Sequence, residues 1–87
     1  MIVKLYAVHD TASGVYDGPV PSGADGVAMR NFTNMARDPN TPIGKNPECF
    51  SLWRVGTWND ATGEVVPGEP ELLAKAIEVI QIDEEIN

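Results

Sequence analysis

The sequence predicts an α+β domain: one small antiparallel sheet made of two hairpins, a main helix packed across it, and a short C-terminal helix, in the order β-β-α-β-β-α. Three observations carry that expectation. Two pairs of strand-like runs flank the turn-forming clusters HDTASG (9–14) and NDATG (59–63). Residues 24–36 repeat apolar side chains at spacings of three and four. A second helical stripe follows the breaker PGEP (67–70).

Residues 2–8, IVKLYAV, place Ile2, Lys4, Tyr6 and Val8 on one face and Val3, Leu5 and Ala7 on the other. Both sets are mostly apolar, as in a central strand covered on two sides. Val15–Val20 reads as its hairpin partner. Pro19 and Pro21 cannot donate ladder hydrogen bonds, so this strand belongs at an edge.

Ser22 with Asp25 three residues on resembles a capping box, and a carboxylate in the first turn suits the helix dipole. Ala24, Ala28, Phe32, Met35 and Ala36 then share one helix face, while Arg30, Asn34 and Arg37 fall on others. Arg37 in the last turn is favourable against the dipole, and Asp38-Pro39 ends the helix because the residue before proline leaves the α region. DPNTPIGKNP (38–47) has three prolines and reads as a stiff loop that Ile43 pins to the core.

CFSLWRVGTW (49–58) is the longest strand, with Phe50 and Leu52 on one face and Trp53 and Val55 on the other. Gly56 marks a bulge or a close backbone approach. Glu64–Val66 pairs back as a second hairpin. ELLAKAIEVI (71–80) places Leu72, Leu73, Ala76, Ile77 and Ile80 on one helical stripe, although IEVIQI (77–82) also alternates like a strand. Residues 81–87 read as a frayed acidic tail.

Eighty-seven residues form one domain, 1–87, that buries roughly 60% of its unfolded surface. Such small folds need a further staple. A lone Cys49 leaves no internal disulfide and fits a reducing cytoplasm. One His and one Cys fall short of a zinc site, so no metal or other cofactor is expected. Homo-oligomerisation is the remaining staple. No run approaches the ~18 apolar residues of a membrane span.

The net charge is −7, against a simple electrostatic nucleic-acid binder. Residues 69–87 hold six acids against Lys75, a net of −5, so the body is near neutral and the acid is gathered at the C-terminal end.

Catalytic patterns are missing. His9 beside Asp10 is turn chemistry, no nucleophile elbow surrounds Ser13, Ser22 or Ser51, and Cys49 reads as a small buried hydrophobe. An enzyme is not expected, and what remains is binding. Tyr6, Tyr16, Trp53 and Trp58 lie on expected strands, with Arg30, Arg37, Lys45 and Arg54 in neighbouring segments. Aromatics on a sheet with interleaved cations stack bases and hold phosphates. Phe32, Phe50 and one Trp are assigned to the core; an exposed aromatic equally suits a dimer contact.

The run from Asp25 to Val66 resembles the small nonstructural protein of gokushovirus-type microviruses, single-stranded DNA bacteriophages. The pattern D-G-x-A-x-R-x-F falls on Asp25, Gly26, Ala28, Arg30 and Phe32. It continues through Asp38-Pro39, Lys45 and Pro47 to Phe50, Leu52, Trp53, Gly56 and Trp58, then Asn59 with Gly63. KLYAVHDTASGVY is similar to the family's start, so the resemblance covers about residues 3–66. It implies a phage nonstructural protein of the host bacterial cytoplasm, often labelled DNA-binding and placed in single-stranded genome synthesis or packaging.

Two functions follow as expectations. In the first, a dimer binds single-stranded DNA, with Arg30, Arg37, Lys45 and Arg54 on phosphates and Trp53 or Trp58 stacking bases. In the second, the protein is an adaptor to phage replication, packaging or capsid proteins without nucleic-acid contact, and Arg30 packs through its stem. An acidic DNA mimic is the weakest reading, because the carboxylates gather at one end.

Overall fold

The computed structural model describes residues 1–86, with side chains as far as Gln81. Four antiparallel strands form one sheet in the order β2-β1-β3-β4, from β1 (Ile2–Asp10), β2 (Val15–Ser22), β3 (Phe50–Asn59) and β4 (Val65–Lys75). Helix α1 (Asp25–Arg37), a one-turn helix α2 (Pro42–Lys45) and α3 (Ala76–Ile86) complete the chain. The expected β-β-α-β-β-α order is that of the structure. β1 is central and β2 is an edge, as the doubly apolar first strand and the prolines of the second require.

Three local expectations are corrected. First, residues 71–75 are strand, not helix, and PGEP does not interrupt β4. Glu71, Leu72, Ala74 and Lys75 pair with Arg54, Trp53, Leu52 and Ser51, which satisfies the ladder groups of β3 that would otherwise face solvent. Pro67 and Pro70 are accommodated because β4 is the outermost strand. Tertiary pairing here overrides a helical stripe, and α3 starts only at Ala76.

Second, the capping box does not form. Ser22 ends β2, Ala24 is the N-cap, and no side chain caps α1. Third, the loop after α1 is not irregular throughout. Its prolines start α2 and a 3-10 turn at Pro47–Cys49, positions where a missing N–H is harmless. Ile43 is buried from α2, and Cys49 is half-buried at the end of the 3-10 turn. The expected fraying of 81–87 falls largely on side chains outside the described residues; the backbone is helical to Ile86.

All three helices pack on one face of the sheet. The core there joins Tyr6 and Leu52 of the sheet to Ala28, Phe32 and Ala36 of α1, Ile43 of α2, and Ala74 and Ala76 around the start of α3. Val8, Phe50, Leu73, Val79 and Ile80 pack against it. Leu73 reaches this core because it is the extra residue of a bulge between Leu72 and Ala74. Phe32 and Phe50 meet expectation, but the remaining core aromatic is Tyr6 rather than a tryptophan. Gly56 sits at a second bulge, where an added Cβ would lie 2.6 Å from the Val66 carbonyl oxygen. Among the described residues no helix is long and apolar enough to cross a membrane.

Candidate functional site: the open sheet face and the groove beside it

The face of the sheet that carries no helix is set by strand register. Val3, Leu5, Ala7 and His9 of β1 alternate onto it, opposite the core residues Tyr6 and Val8. Their partners follow: Trp58 opposite Val3, Trp53 opposite Ala7, Ser51 opposite His9, and Tyr16 opposite His9 on the other side. Leu72 joins them opposite Trp53. Three of these side chains form a row across the sheet. The His9 and Tyr16 rings lie 4.5 Å apart, and Tyr16 meets Trp53 edge-on at 5.9 Å. The Trp53 indole N–H donates to Ser51 Oγ at 2.8 Å, so its polar atom is satisfied within the face.

Leu5 and Ala7 are buried although no helix covers them, which leaves the neighbouring side chains of this face as their cover. Tyr16 and Leu72 are 42% and 41% exposed, large apolar surfaces turned to solvent. No Asp, Glu, Lys or Arg of β1, β2 or β3 alternates onto the face; Lys75, opposite Ser51, stands at one end.

The cations that sequence reasoning grouped with the tryptophans lie elsewhere. Trp53 and Trp58 are half-buried on the open face, whereas Arg54 points to the helix side, opposite Tyr6. Arg30 and Arg37 are exposed on α1, seven residues apart and so on one helical stripe, and Lys45 is exposed on α2. The expected single surface of cations and aromatics is therefore divided between the two sides of the sheet. Adjacent strand residues point to opposite faces, and this alone separates Trp53 from Arg54.

Arg54 has a different role. Its guanidinium donates to Asp25 Oδ2 at 2.6 Å and also to Glu71, while the Tyr6 hydroxyl donates to Asp25 Oδ1 at 2.5 Å. Lys4 Nζ is 3.8 Å from the same carboxylate. The network ties the first turn of α1 to β1, β3 and β4. Sequence reading missed it because Asp25 has an adequate local explanation as a capping residue, and nothing nearby in sequence points to Tyr6 or Arg54.

The Tyr6 hydrogen bond, with Arg54 and Lys4 behind it, holds the Asp25 carboxyl below its ordinary range. Burial, then the bond to Asp25, pushes the Tyr6 phenol up to about 12. The linked stability is present above the unfolded carboxyl value and is lost as pH falls through the lower folded value. On the alkaline side it is complete below the ordinary tyrosine value of about 10 and is lost as pH rises toward about 12. Urea midpoints against pH should show both limbs. Tyr6→Phe should remove the alkaline limb and lower stability by about 2 kcal/mol at neutral pH. An unchanged alkaline limb would contradict the assignment.

A concavity opens on the helix side, between the β1–β2 hairpin and α1–α2. It is about 910 Å³ and is walled by Val8, Val15 and Val20 from the hairpin, Phe32 and Met35 from α1, and Ile43 from α2. Met35, expected in the core face of α1, instead lines this groove and is 40% exposed. Asp10 and Asp17 also line it, and among the described residues no Lys or Arg does.

Residues 3–79, most of the chain, match the model of the Phage ORF5 protein family. The chain belongs to the Phage ORF5 family. The match spans all four strands, α1 and α2, so the open face, the Asp25 network and the groove all lie within the family's own region. Membership makes this a phage protein, which is the coarser part of what the resemblance to microvirus nonstructural proteins implies. No curated protein and no solved structure matches the chain.

Proposed function

We propose that this phage protein is a non-enzymatic accessory factor of single-stranded genome synthesis or packaging in the host cytoplasm, and that it acts through protein contacts, pairing with a second copy across its open sheet face. The observation that carries this reading is the chemistry of that face: Trp53, Trp58, Tyr16 and Leu72 stand around Val3, Leu5 and Ala7, and no Asp, Glu, Lys or Arg of β1, β2 or β3 alternates onto it. A face of that kind is self-complementary, as a two-fold interface requires. It also keeps the repulsion between two chains of net charge −7 away from the contact.

The size is adequate. Four strands about 4.8 Å apart and roughly 30 Å long present about 570 Å² per copy in projection. Two copies bury about 1,100 Å², near the ~1,200 Å² at which specific interfaces begin. Sedimentation over a range of loading concentrations is the test. The wild type should sediment as a dimer, and Trp53→Glu, which puts a charge in the middle of the row, should sediment as a folded monomer. A monomeric wild type would overturn the pairing.

Direct binding of single-stranded DNA is the second reading, favoured by one observation: the row His9, Tyr16, Trp53 offers ring faces across the sheet. Against it stands the scarcity of cations beside those rings: Lys75, opposite Ser51 at one end, is the one Lys or Arg of the four strands that alternates onto the face, and phosphate contacts supply most of such affinity. Arg30, Arg37 and Lys45 serve this reading only if the strand wraps from the open face around to the helix side.

A further inference from the structure

The groove between the β1–β2 hairpin and α1 is a separate surface from the open face, and its walls and its charge define what it fits. Val15 and Val20 are 58% and 60% exposed, and Met35 is 40% exposed, yet all three converge on one concavity with Val8, Phe32 and Ile43. The polar groups on its lining include two carboxylates, Asp10 and Asp17, and among the described residues no Lys or Arg lines it to balance them. We propose that this groove is the docking site for a basic amphipathic helix of another protein, whose apolar stripe enters the groove while Lys or Arg on its flank meets Asp10 and Asp17.

Charge selects this occupant over a second copy of the same chain. Each copy carries a net −7, and α3 with its preceding segment holds much of the acid, so a second copy brings like charge to an acid-rimmed groove. A cationic partner is attracted by the whole molecule as well as by the rim, which accelerates encounter. Backbone chemistry selects a helix over an added strand. The outer strand β2 has Pro19 and Pro21 in its last half, so two amide donors that an incoming strand would need are missing. A helix needs none of them; it needs an apolar trough for side chains spaced at three and four, which the hairpin and α1 enclose.

The inference rests on the reading of this protein as one that works by protein contacts, but it uses a different surface from the dimer. The probe is a synthetic amphipathic helix of leucines at helical spacing with lysines on the remaining positions, labelled for fluorescence anisotropy. Its control is the same peptide with glutamate for lysine. The full chain should bind the lysine peptide saturably and the glutamate peptide not at all.

A variant with Val15→Thr, Val20→Thr and Met35→Gln keeps side-chain size and the overall charge while making three exposed groove residues polar. It should bind the lysine peptide at least about tenfold more weakly. Asp17→Asn should weaken binding at low salt and reduce its salt dependence. Trp53→Glu should leave peptide binding intact even where it abolishes the dimer, so failure of the groove and failure of the open face are read separately. No binding of the lysine peptide, equal binding of the glutamate peptide, or full affinity in the triple variant would each overturn the proposal.

Discussion

Phe32→Ala is expected to lower stability by about 3–5 kcal/mol, the largest loss from any single side chain of α1. Phe32 is 1% exposed and stands where α1, α2 and the sheet meet, touching the cluster that includes Tyr6, Leu52 and Ile43. Its ring also forms the floor of the groove, so the void left by alanine would merge with an existing concavity instead of closing. A domain of this length has roughly 4–13 kcal/mol in total, which leaves the variant marginal or unfolded at 37 °C. Urea unfolding followed by far-ultraviolet circular dichroism measures the loss, and Phe32→Leu should recover most of it. A loss below about 1 kcal/mol would mean that α1 is not held by this contact.

Gly44→Ala is the second large effect and comes from backbone crowding. A Cβ at Gly44 would lie 1.9 Å from the Asp38 carbonyl oxygen and 2.6 Å from its carbon. No side-chain rotation relieves that, because the obstacle is main chain. The same loop is closed by Thr41, whose hydroxyl donates to the Met35 carbonyl at 2.6 Å and accepts from the Gly44 N–H at 3.0 Å. Displacing α2 to admit a methyl group therefore breaks the Thr41 bonds and lifts Ile43 from the core. The expected loss is about 2–3 kcal/mol, with faster proteolysis between residues 38 and 47. Gly26→Ala provides the contrast. A Cβ there meets nothing within 4 Å, so this change inside α1 should stabilise by about 0.5–1 kcal/mol. Equal melting temperatures for Gly44→Ala and wild type would contradict the close approach.

Much of the fold was legible because local and tertiary demands agree. Residues 2–8 are apolar on both faces, and β1 is the central strand they imply. Pro19 and Pro21 place β2 at an edge, and Gly56 marks a bulge that only a glycine fits. The segment 71–75 was misread because Leu72, Leu73 and Ala76 fit a helical stripe as well as they fit a bulged strand. The deciding term was the need of β3 for a second ladder partner, which no window of local sequence contains.

The candidate site divides along the same line. The tryptophans were visible as strand aromatics, but the groove was not, because Met35 at helical spacing with Phe32 and Ala36 reads as a core residue. Where the arginines go was not visible. Side-chain alternation sends Trp53 and Arg54 to opposite faces, and long-range pairing gives Arg54 to Asp25 and Glu71. The row His9, Tyr16, Trp53 was recoverable in principle, since a hairpin turning at 11–14 puts Tyr16 opposite His9.

Protein surface, not nucleic acid, is proposed to meet the open sheet face. Titrating the chain with a single-stranded oligonucleotide at about 50 mM salt, while following indole fluorescence, tests it most directly, because Trp53 and Trp58 both lie on that face. The expected result is no saturable change in emission, with dimerisation unaffected by the oligonucleotide. Saturable quenching that weakens steeply with added salt, and that Trp53→Ala abolishes, would contradict it.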